Sequence, residues 1–394
     1  MTPVRDVAYF GAGPAKIPEE VLRRTQDDIV NWRGTGVGIL EVSHRSTEYM
    51  AMMQETEERL RSMMDIPTEY AVLFMAGGGT AQFAAVVLNL VRQDPAKRQV
   101  DYLISGSWSS KAAQEAERLL AHTDLQVNQI QLFNKTKGEM AFTCPSEWNL
   151  SRETTSYVYY CDNETIDGIE MPSSDYIPDM LDACGCNAPI VVDMSSNFLS
   201  RPVNVRRFGV IFATAQKNFG PAGVTVAIVR RNLLTVAAPP LLPIPTTLDY
   251  CIFDKSHSLH NTPPCSAISV CNYVFEWLGT RFGTLVHIEQ LAQHKASQLY
   301  HCISESDGFY RSPIPPNFQS SMNVVFRIVK ADGQVAPELE DEFVRDAEGR
   351  GLTGLRGHRS VGGIRVSLYN AVRTEEVMRV AAFMRSFAEK HADI

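Results

Sequence analysis

With 394 residues the chain is longer than one hydrophobic core usually serves, so two domains are expected. Hydrophobic residues at 44% and charged residues at 21% give the balance of an ordinary globular protein. A net charge of -8 argues against a nucleic-acid partner, which calls for a basic excess. No apolar stretch is long enough to span a membrane, and the first residues lack a charged-then-apolar signal pattern, so a cytoplasmic location is expected. The eight cysteines are scattered, and Cys184-Gly185-Cys186 has the spacing of neither a zinc site nor a thioredoxin-type motif. Buried free thiols are expected.

In chain order, Tyr9-Phe10-Gly11-Ala12-Gly13-Pro14-Ala15 is rich in turn formers and suited to close backbone approach. Pro18 suits a first helical turn, and Val21, Leu22 and Ile29 recur at helical spacing. A glycine-rich stretch, Gly34 to Ser46, carries His44 and Arg45 up to a helical pattern from about Glu48 to Met64. At such a loop-to-helix transition exposed side chains can meet an anion, although an exposed Arg is ordinarily a solvated charge.

Tyr70 to Met75 reads as a buried strand, followed by Ala76-Gly77-Gly78-Gly79-Thr80 and an Ala-rich helix. A strand, glycines and a helix N-terminus form a phosphate cradle in outline, with a flexible turn as the alternative. The glycine spacing is that of neither a Walker A loop nor a dinucleotide fingerprint. Val100 to Ile104 is another strand, ending in Ser105-Gly106-Ser107-Trp108-Ser109 before a helix from Lys111 to Ala121. Trp108 is either core filler or a flat face for a planar cofactor. Tyr157 to Cys161 ends in the polar run from Asp162 to Gly168.

Ile190 to Asp193 is a β-branched run closed by an acid. A carboxylate at a buried strand end needs a positive or hydrogen-bonding partner, such as a pyridinium nitrogen, or it caps the following turn. Gly209 to Thr214 is an apolar strand with Lys217 just past its end; turn formers follow, and Val224 to Val229 resumes a strand. A lysine at the carboxyl end of such a strand can lose hydration and become a nucleophile toward carbonyls. A solvated lysine in a hairpin-like turn is the ordinary alternative. Six strand ends of this kind are expected to point one way, carrying a phosphate cradle, a flat aromatic, a threonine, an acid and a lysine. That combination suits pyridoxal phosphate.

From Leu233 the chain becomes Pro-rich, and the segment from Ser258 to Cys265 that follows reads as a rigid presenting loop. Helices from about Ser266 to Leu278 and Leu285 to Ile303 lead into an α+β region. It has strands near Met322 to Val329 and Gly363 to Ser367, and helices from about Leu339 to Glu348 and Thr374 to His391. Between them, Leu355 to Arg365 gathers Arg356, His358, Arg359 and Arg365 among glycines with few acids nearby, which suggests an anion site.

Over essentially its full length the chain resembles the phosphoserine aminotransferases, class V members of the fold type I pyridoxal-phosphate enzymes. The blocks that carry the likeness are Phe10 to Ala15, Ser43-His44-Arg45-Ser46, Gly77-Gly78-Gly79-Thr80, Asn163-Glu164-Thr165, Val192 to Asn197, Ala215-Gln216-Lys217-Asn218, Asn261-Thr262-Pro263-Pro264 and Gly357 to Arg365. The lysine block is shared among class V enzymes; the His-Arg and Gly-His-Arg-Ser blocks narrow the likeness. Thr143 to Glu153 and Ser173 to Asn187 look longer or more polar than the family core needs.

The resemblance implies an α/β, aspartate-aminotransferase-like large domain with a mostly parallel sheet flanked by helices (16–270), plus a smaller α+β C-terminal domain (1–15 and 271–394). It implies a pyridoxal 5'-phosphate cofactor bound to Lys217 as Schiff-base lysine and later proton-moving base, with Asp193 on the pyridine nitrogen. Trp108 is implied to stack on the ring, Thr165 to hydrogen-bond beside it, and Gly79, Thr80 and Gln216 to contact the phosphate. Asn261 and Thr262 are implied to reach that phosphate from the other subunit of a homodimer. His44, Arg45, His358, Arg359 and Arg365 are implied to hold substrate anions, Arg365 the α-carboxylate. The implied reaction is reversible transamination of 3-phosphohydroxypyruvate with glutamate to O-phosphoserine and 2-oxoglutarate. Another class V enzyme (an alanine–glyoxylate type aminotransferase or a cysteine desulfurase using Cys251 or Cys265) and a non-catalytic scaffold remain the alternatives.

Overall fold

The chain organises around five apolar strands that run in one direction. The structure, a computed structural model, describes residues 6–136 and 139–391. Residues 1–5 and 392–394 of the expected small domain lie outside the described residues. After β1 (Ala8–Tyr9) come α1 (Glu19–Val30), α2 (Thr47–Met64), β2 (Tyr70–Met75), α3 (Gly78–Leu90), β3 (Gln99–Ile104), α4 (Ser107–Leu120) and β4 (Gln126–Gln131). A small hairpin of β5 (Phe133–Thr136) and β6 (Glu139–Phe142) leads to β7 (Thr155–Cys161), the short pair β8 (Asn163–Glu164) and β9 (Ile169–Glu170), and α5 (Tyr176–Ala183). The remaining sheet strands are β10 (Ile190–Asp193), β11 (Val210–Thr214) and β12 (Thr225–Arg230).

The seven-stranded sheet has the order β2-β12-β11-β10-β7-β3-β4. Parallel pairing runs from β11 through β10, β7 and β3 to β4, while β12 is antiparallel to both neighbours. The fold class is therefore as expected, an α/β sheet that is mostly parallel. The six strand ends need one correction. Five of the strands read from sequence bring their carboxyl ends to one edge; the Val224 to Val229 strand runs the opposite way. Its connection from β11 is too short for a crossover, so the chain turns straight back. β4, whose burial follows no simple alternation, supplies the sixth parallel strand unannounced.

Alternate residues of each strand feed two cores. Phe74, Tyr160, Val192, Ile211 and Val226 face α2 and α7 (Cys265–Phe282) through residues such as Met52 and Phe275. Their chain neighbours Leu73, Tyr159, Val191, Phe212 and Ala227 face α3, α4 and the short α6 (Tyr250–Lys255) through Phe83, Ala112 and Phe253. With both faces covered, these strands read as unbroken apolar runs.

Beyond α8 (Leu285–Ser304) lies a second layer: β13 (Tyr310–Arg311), β14 (Asn323–Ile328), α9 (Pro337–Gly349), β15 (Leu352–Thr353), β16 (Ile364–Ser367) and α10 (Thr374–Lys390). β13, β14 and β16 form an antiparallel sheet, and β15 pairs in parallel with β1. The apolar residues of α7 and the first turn of α8 join the large core, as do Ile314 and Phe318, whereas Ala8, Phe10 and most buried apolar residues from Ala296 onward join the second. The change of core thus falls inside α8. There Lys295 donates to the carbonyls of Leu368, Tyr369 and Val372 at 2.8, 3.0 and 3.1 Å, tying α8 to the segment after β16.

Two local expectations are corrected. α4 begins at Ser107 rather than Lys111, which puts Trp108 in its first turn. The cysteines are all free, but only Cys161, Cys186, Cys271 and Cys302 are buried, and Cys144 is exposed. No helix among the described residues is long and apolar enough to cross a membrane.

Phe343 is fully buried and packs edge-on or tilted against Tyr310, Phe326, Phe383 and Phe387. We expect Phe343→Ala to destabilise this smaller core by about 3–5 kcal/mol, read as an earlier denaturant transition. A shift below about 1 kcal/mol would mean that the cavity collapses and the aromatic cluster does not hold the layer.

Candidate active site

Lys217 sits in the turn that closes β11, where the amide nitrogens of Phe219 and Gly220 return to the Ala215 carbonyl. Its Nζ donates to Thr165 Oγ1 at 2.6 Å and stands 5.7 Å from the centroid of the Trp108 ring. Burial of the ammonium lowers its pKa to about 8; nearby Asp193 and Cys161 oppose the shift, and Arg365 adds to it. A lysine so placed gives up its proton far more readily near neutral pH than a solvated lysine does, and the free amine is the form that attacks carbonyls and takes up protons.

Asp193 ends β10, in register with Cys161 on one side and Phe212 on the other. It is 5% exposed, and Oδ1 accepts from the Ser195 amide at 2.8 Å. Desolvation pushes its pKa up, while the Ser195 hydrogen bonds and the Lys217 charge pull it down. The carboxylate is suited to a cationic or N–H partner in the cavity. Gly77 caps α3 at φ 99°, and Gly78 follows at φ 68°, a left-handed conformation that a side chain resists. The bend leaves the first amides of α3 without intrahelical acceptors, facing the same space.

Gly79, Thr80, Trp108, Thr165, Asp193, Gln216 and Lys217 all line one cavity of about 180 Å³. The N-terminal segment closes over its rim, with the Ala15 amide on the Gln216 carbonyl at 2.8 Å. Two buried groups there have no hydrogen-bond partner in the protein: Trp108 Nε1 and Ser195 Oγ. A cavity of about 160 Å³ between α7, α8 and α10 has cations of its own, but its buried lysine, Lys295, is saturated by backbone carbonyls. The chemistry belongs to the first cavity.

The basic residues divide into two groups. Arg365 on β16 is half-buried and donates to the Thr165 carbonyl at 3.1 Å, so it touches the Lys217 site directly. His358 and Arg359 lie in the loop before β16, and His358 Nδ1 meets Ser360 Oγ at 2.6 Å. Partial burial pulls the His358 pKa below its usual value, and the charges of Arg365, Lys111 and Arg359 add to the effect. Lys111 had no assigned role from sequence. Its Nζ lies 4.2 Å from the Trp108 ring centroid, and three-residue spacing on a helix is the signal that could have found it.

His44, Arg45, Asn261 and Thr262 lie outside the cavity. Arg45, Asn261 and Thr262 are exposed, and His44 is half-buried with Nε2 unpartnered. The two loops are neighbours, because α2 and α7 pack together with Tyr49 close to Cys265. Ile29, Val30, Val37, Leu40 and Met50 are exposed apolar residues in the same stretch. Cys251 and Cys265 are both pushed up in pKa by burial, the opposite of an activated thiol.

The model of the family described as "Aminotransferase class-V" matches residues 7–380. A phosphoserine aminotransferase of Drosophila melanogaster is 45% identical over 385 residues, covering 97% of this chain and 98% of that protein. A chloroplastic phosphoserine aminotransferase of Arabidopsis thaliana is 42% identical, covering 98% of this chain and 83% of its own. Among solved structures, a pyridoxal-phosphate-bound phosphoserine aminotransferase from Trichomonas vaginalis matches with a TM-score of 0.85 and 37% identity, covering 96% of this chain and 99% of that one. The enzyme from Bacillus circulans subsp. alkalophilus gives 0.86 and 37%, covering 98% and 100%. With a lysine, an acid and a helix N-terminus converging at one sheet edge, and with relatives of this identity over nearly the whole length, the chain belongs to the class V aminotransferases, within the phosphoserine aminotransferase family.

Proposed function

We propose that this protein catalyses the reversible transfer of an amino group from L-glutamate to 3-phosphohydroxypyruvate, giving 2-oxoglutarate and O-phospho-L-serine in L-serine biosynthesis. The observation that carries this reading is a desolvated lysine touching, through Thr165, an arginine that belongs to a cluster of anion-seeking side chains.

The residues present fit pyridoxal phosphate. The α3 N-terminus offers unpaired amides and a favourable dipole to its phosphate, with Gly79, Thr80 and Gln216 alongside. Asp193, held by the Ser195 amide, would accept a hydrogen bond from the ring N–H and keep that nitrogen protonated, and Trp108 would cover one face of the ring. When bound, the cofactor supplies an aldehyde that captures amino groups and an electron-poor ring that acidifies the substrate Cα–H. Lys217, as the free amine, takes that proton from Cα. Thr165 Oγ1, already at 2.6 Å, accepts a hydrogen bond from the resulting ammonium and keeps it in place for the return. Arg365 holds the α-carboxylate as a planar fork. His358 and Arg359 receive the distal anion, phosphate or carboxylate, and His44 and Arg45, which lie outside this chain's cavity, would join them only across a dimer interface.

The same reading includes a homodimer. Two exposed loops bearing His44, Arg45, Asn261 and Thr262 surround apolar residues that a second copy would cover. Across that interface, Asn261 and Thr262 of the partner subunit would complete the phosphate site. A cytoplasmic location is part of the reading too, since eight free thiols suit a reducing compartment.

The test is a spectroscopic titration of the cofactor-loaded protein with O-phosphoserine, glutamate, serine and alanine. Loss of the visible cofactor band with the first two only is expected. A band that responds best to serine or alanine would overturn the substrate assignment.

A second expectation concerns His358. Its pKa lies below the usual value, so the ring is mostly neutral near pH 7. A dianionic phosphate favours imidazolium more than a carboxylate does, so phosphoserine gains a charged hydrogen bond that glutamate gains less. His358→Ala should lower kcat/KM for phosphoserine roughly tenfold or more beyond its effect on glutamate. Equal losses for the two substrates would contradict this.

A further inference from the structure

The block Asn163-Glu164-Thr165 contains a buried acid that the reaction does not use. Glu164 has no exposed surface, yet among the described residues it forms no salt bridge. Its carboxylate instead receives the start of α4. Oε2 accepts from the Trp108 amide at 2.7 Å; Oε1 accepts from the Ser109 amide at 2.8 Å and the Ser109 hydroxyl at 2.6 Å. The Ser109 oxygen in turn accepts from the amides of Ser105 and Gly106 at 3.0 and 3.1 Å. Asp167 takes the one remaining amide of the turn, that of Ser107, at 2.8 Å.

The approach is possible because residue 106 is glycine. A Cβ there would lie 2.6 Å from Asp167 Oδ2 and 2.8 Å from Glu164 Cδ. On the other side of the same tripeptide, Thr165 meets Lys217 through its hydroxyl and Arg365 through its carbonyl. Asn163 is locked to Ser196 at 2.6 Å and to Asn323 at 2.9 Å.

We propose that Glu164 is the positioning residue for Trp108: by capping the first turn of α4 from inside the sheet edge, it fixes the indole at a set distance from Lys217, Thr165 and Arg365. An ordinary N-cap is local and can slide with its helix. This one comes from a strand-end segment 56 residues along the chain, whose next residue bonds the Lys217 ammonium. The face offered to the cofactor ring and the base beneath it are thereby set by neighbouring peptides of one rigid segment. The functional consequence rests on the assignment of the cavity to pyridoxal phosphate; the capping does not.

The test uses Glu164→Gln, which keeps the size but places an NH₂ where amides already donate. Hydrogen exchange followed by mass spectrometry should show the amides of Ser107 to Ser109 exchanging about tenfold faster, with the rest of α4 unchanged. Pyridoxal phosphate affinity, read from tryptophan fluorescence quenching, should weaken by a similar factor. In a Trp108→Ala background, Glu164→Gln should produce no further loss of affinity. Additive losses would overturn the proposal, because Glu164 would then act independently of Trp108; so would unchanged exchange at 107–109. Should the Gln variant fail to fold, Ser109→Ala removes one of the bonds to Glu164, together with the acceptor for the Ser105 and Gly106 amides, and should accelerate the amides of 107–109 more weakly, with unchanged exchange again overturning it. Cofactor failing to quench the wild-type protein would contradict the cavity assignment instead and leave the exchange result standing.

Discussion

The removal of one ammonium group from water governs this molecule. Lys217 reaches its position because an apolar strand, β11, ends at the same edge as its parallel neighbours and the chain turns straight back as β12. The group that emerges is walled by Trp108, Cys161, Asp193 and Thr165 rather than by solvent. Coulombic attraction to Asp193 alone would raise its pKa, yet desolvation and Arg365 win and set it at about 8. The same desolvation pushes Asp193 upward, which favours a cationic or N–H partner beside its carboxylate.

Everything else that touches the cavity follows from strand direction. The carboxyl ends of β2, β3, β7, β10 and β11 deliver, in turn, the α3 amides, Trp108, Thr165, Asp193 and Lys217. The second layer contributes Arg365 on β16 and the His358–Arg359 loop, so these basic side chains come from elements that do not belong to the large sheet. The buried lysine and the basic cluster therefore sit on two cores that meet along α8.

Much of this was legible in the residues. Strands covered on both faces read as unbroken apolar runs, and the polar residue that ends each run, Asp193 or Lys217, announced itself by interrupting one. Strand direction was less visible, since an apolar run has no polarity; the brevity of the link between Thr214 and Thr225 was the available clue. The start of α4 was missed because Ser107, Trp108 and Ser109 are weak helix formers, and the caps that hold them come from Glu164 and Asp167, far along the chain. Glu164 was hidden for the same reason: its partners are backbone amides, which no side-chain pattern reports. β4 went unread because its burial follows no simple period. Asn261 and Thr262 were singled out through family likeness alone, and His44 and Arg45 only weakly by their loop-to-helix position; in a single chain all four stand apart from the cavity.

The central claim, that the fold desolvates Lys217 enough to bring its deprotonation close to neutrality, has a direct measurement. The cofactor-free protein is pulsed with an amine acetylating reagent across a pH series, and modification at each lysine is read by mass spectrometry. The account predicts that labelling of Lys217 rises with pH and levels off with a midpoint near 8, well below the 10.5 of an unperturbed lysine. A Lys217 midpoint near 10.5 would contradict the account, because the cavity would then not be removing water from its lysine.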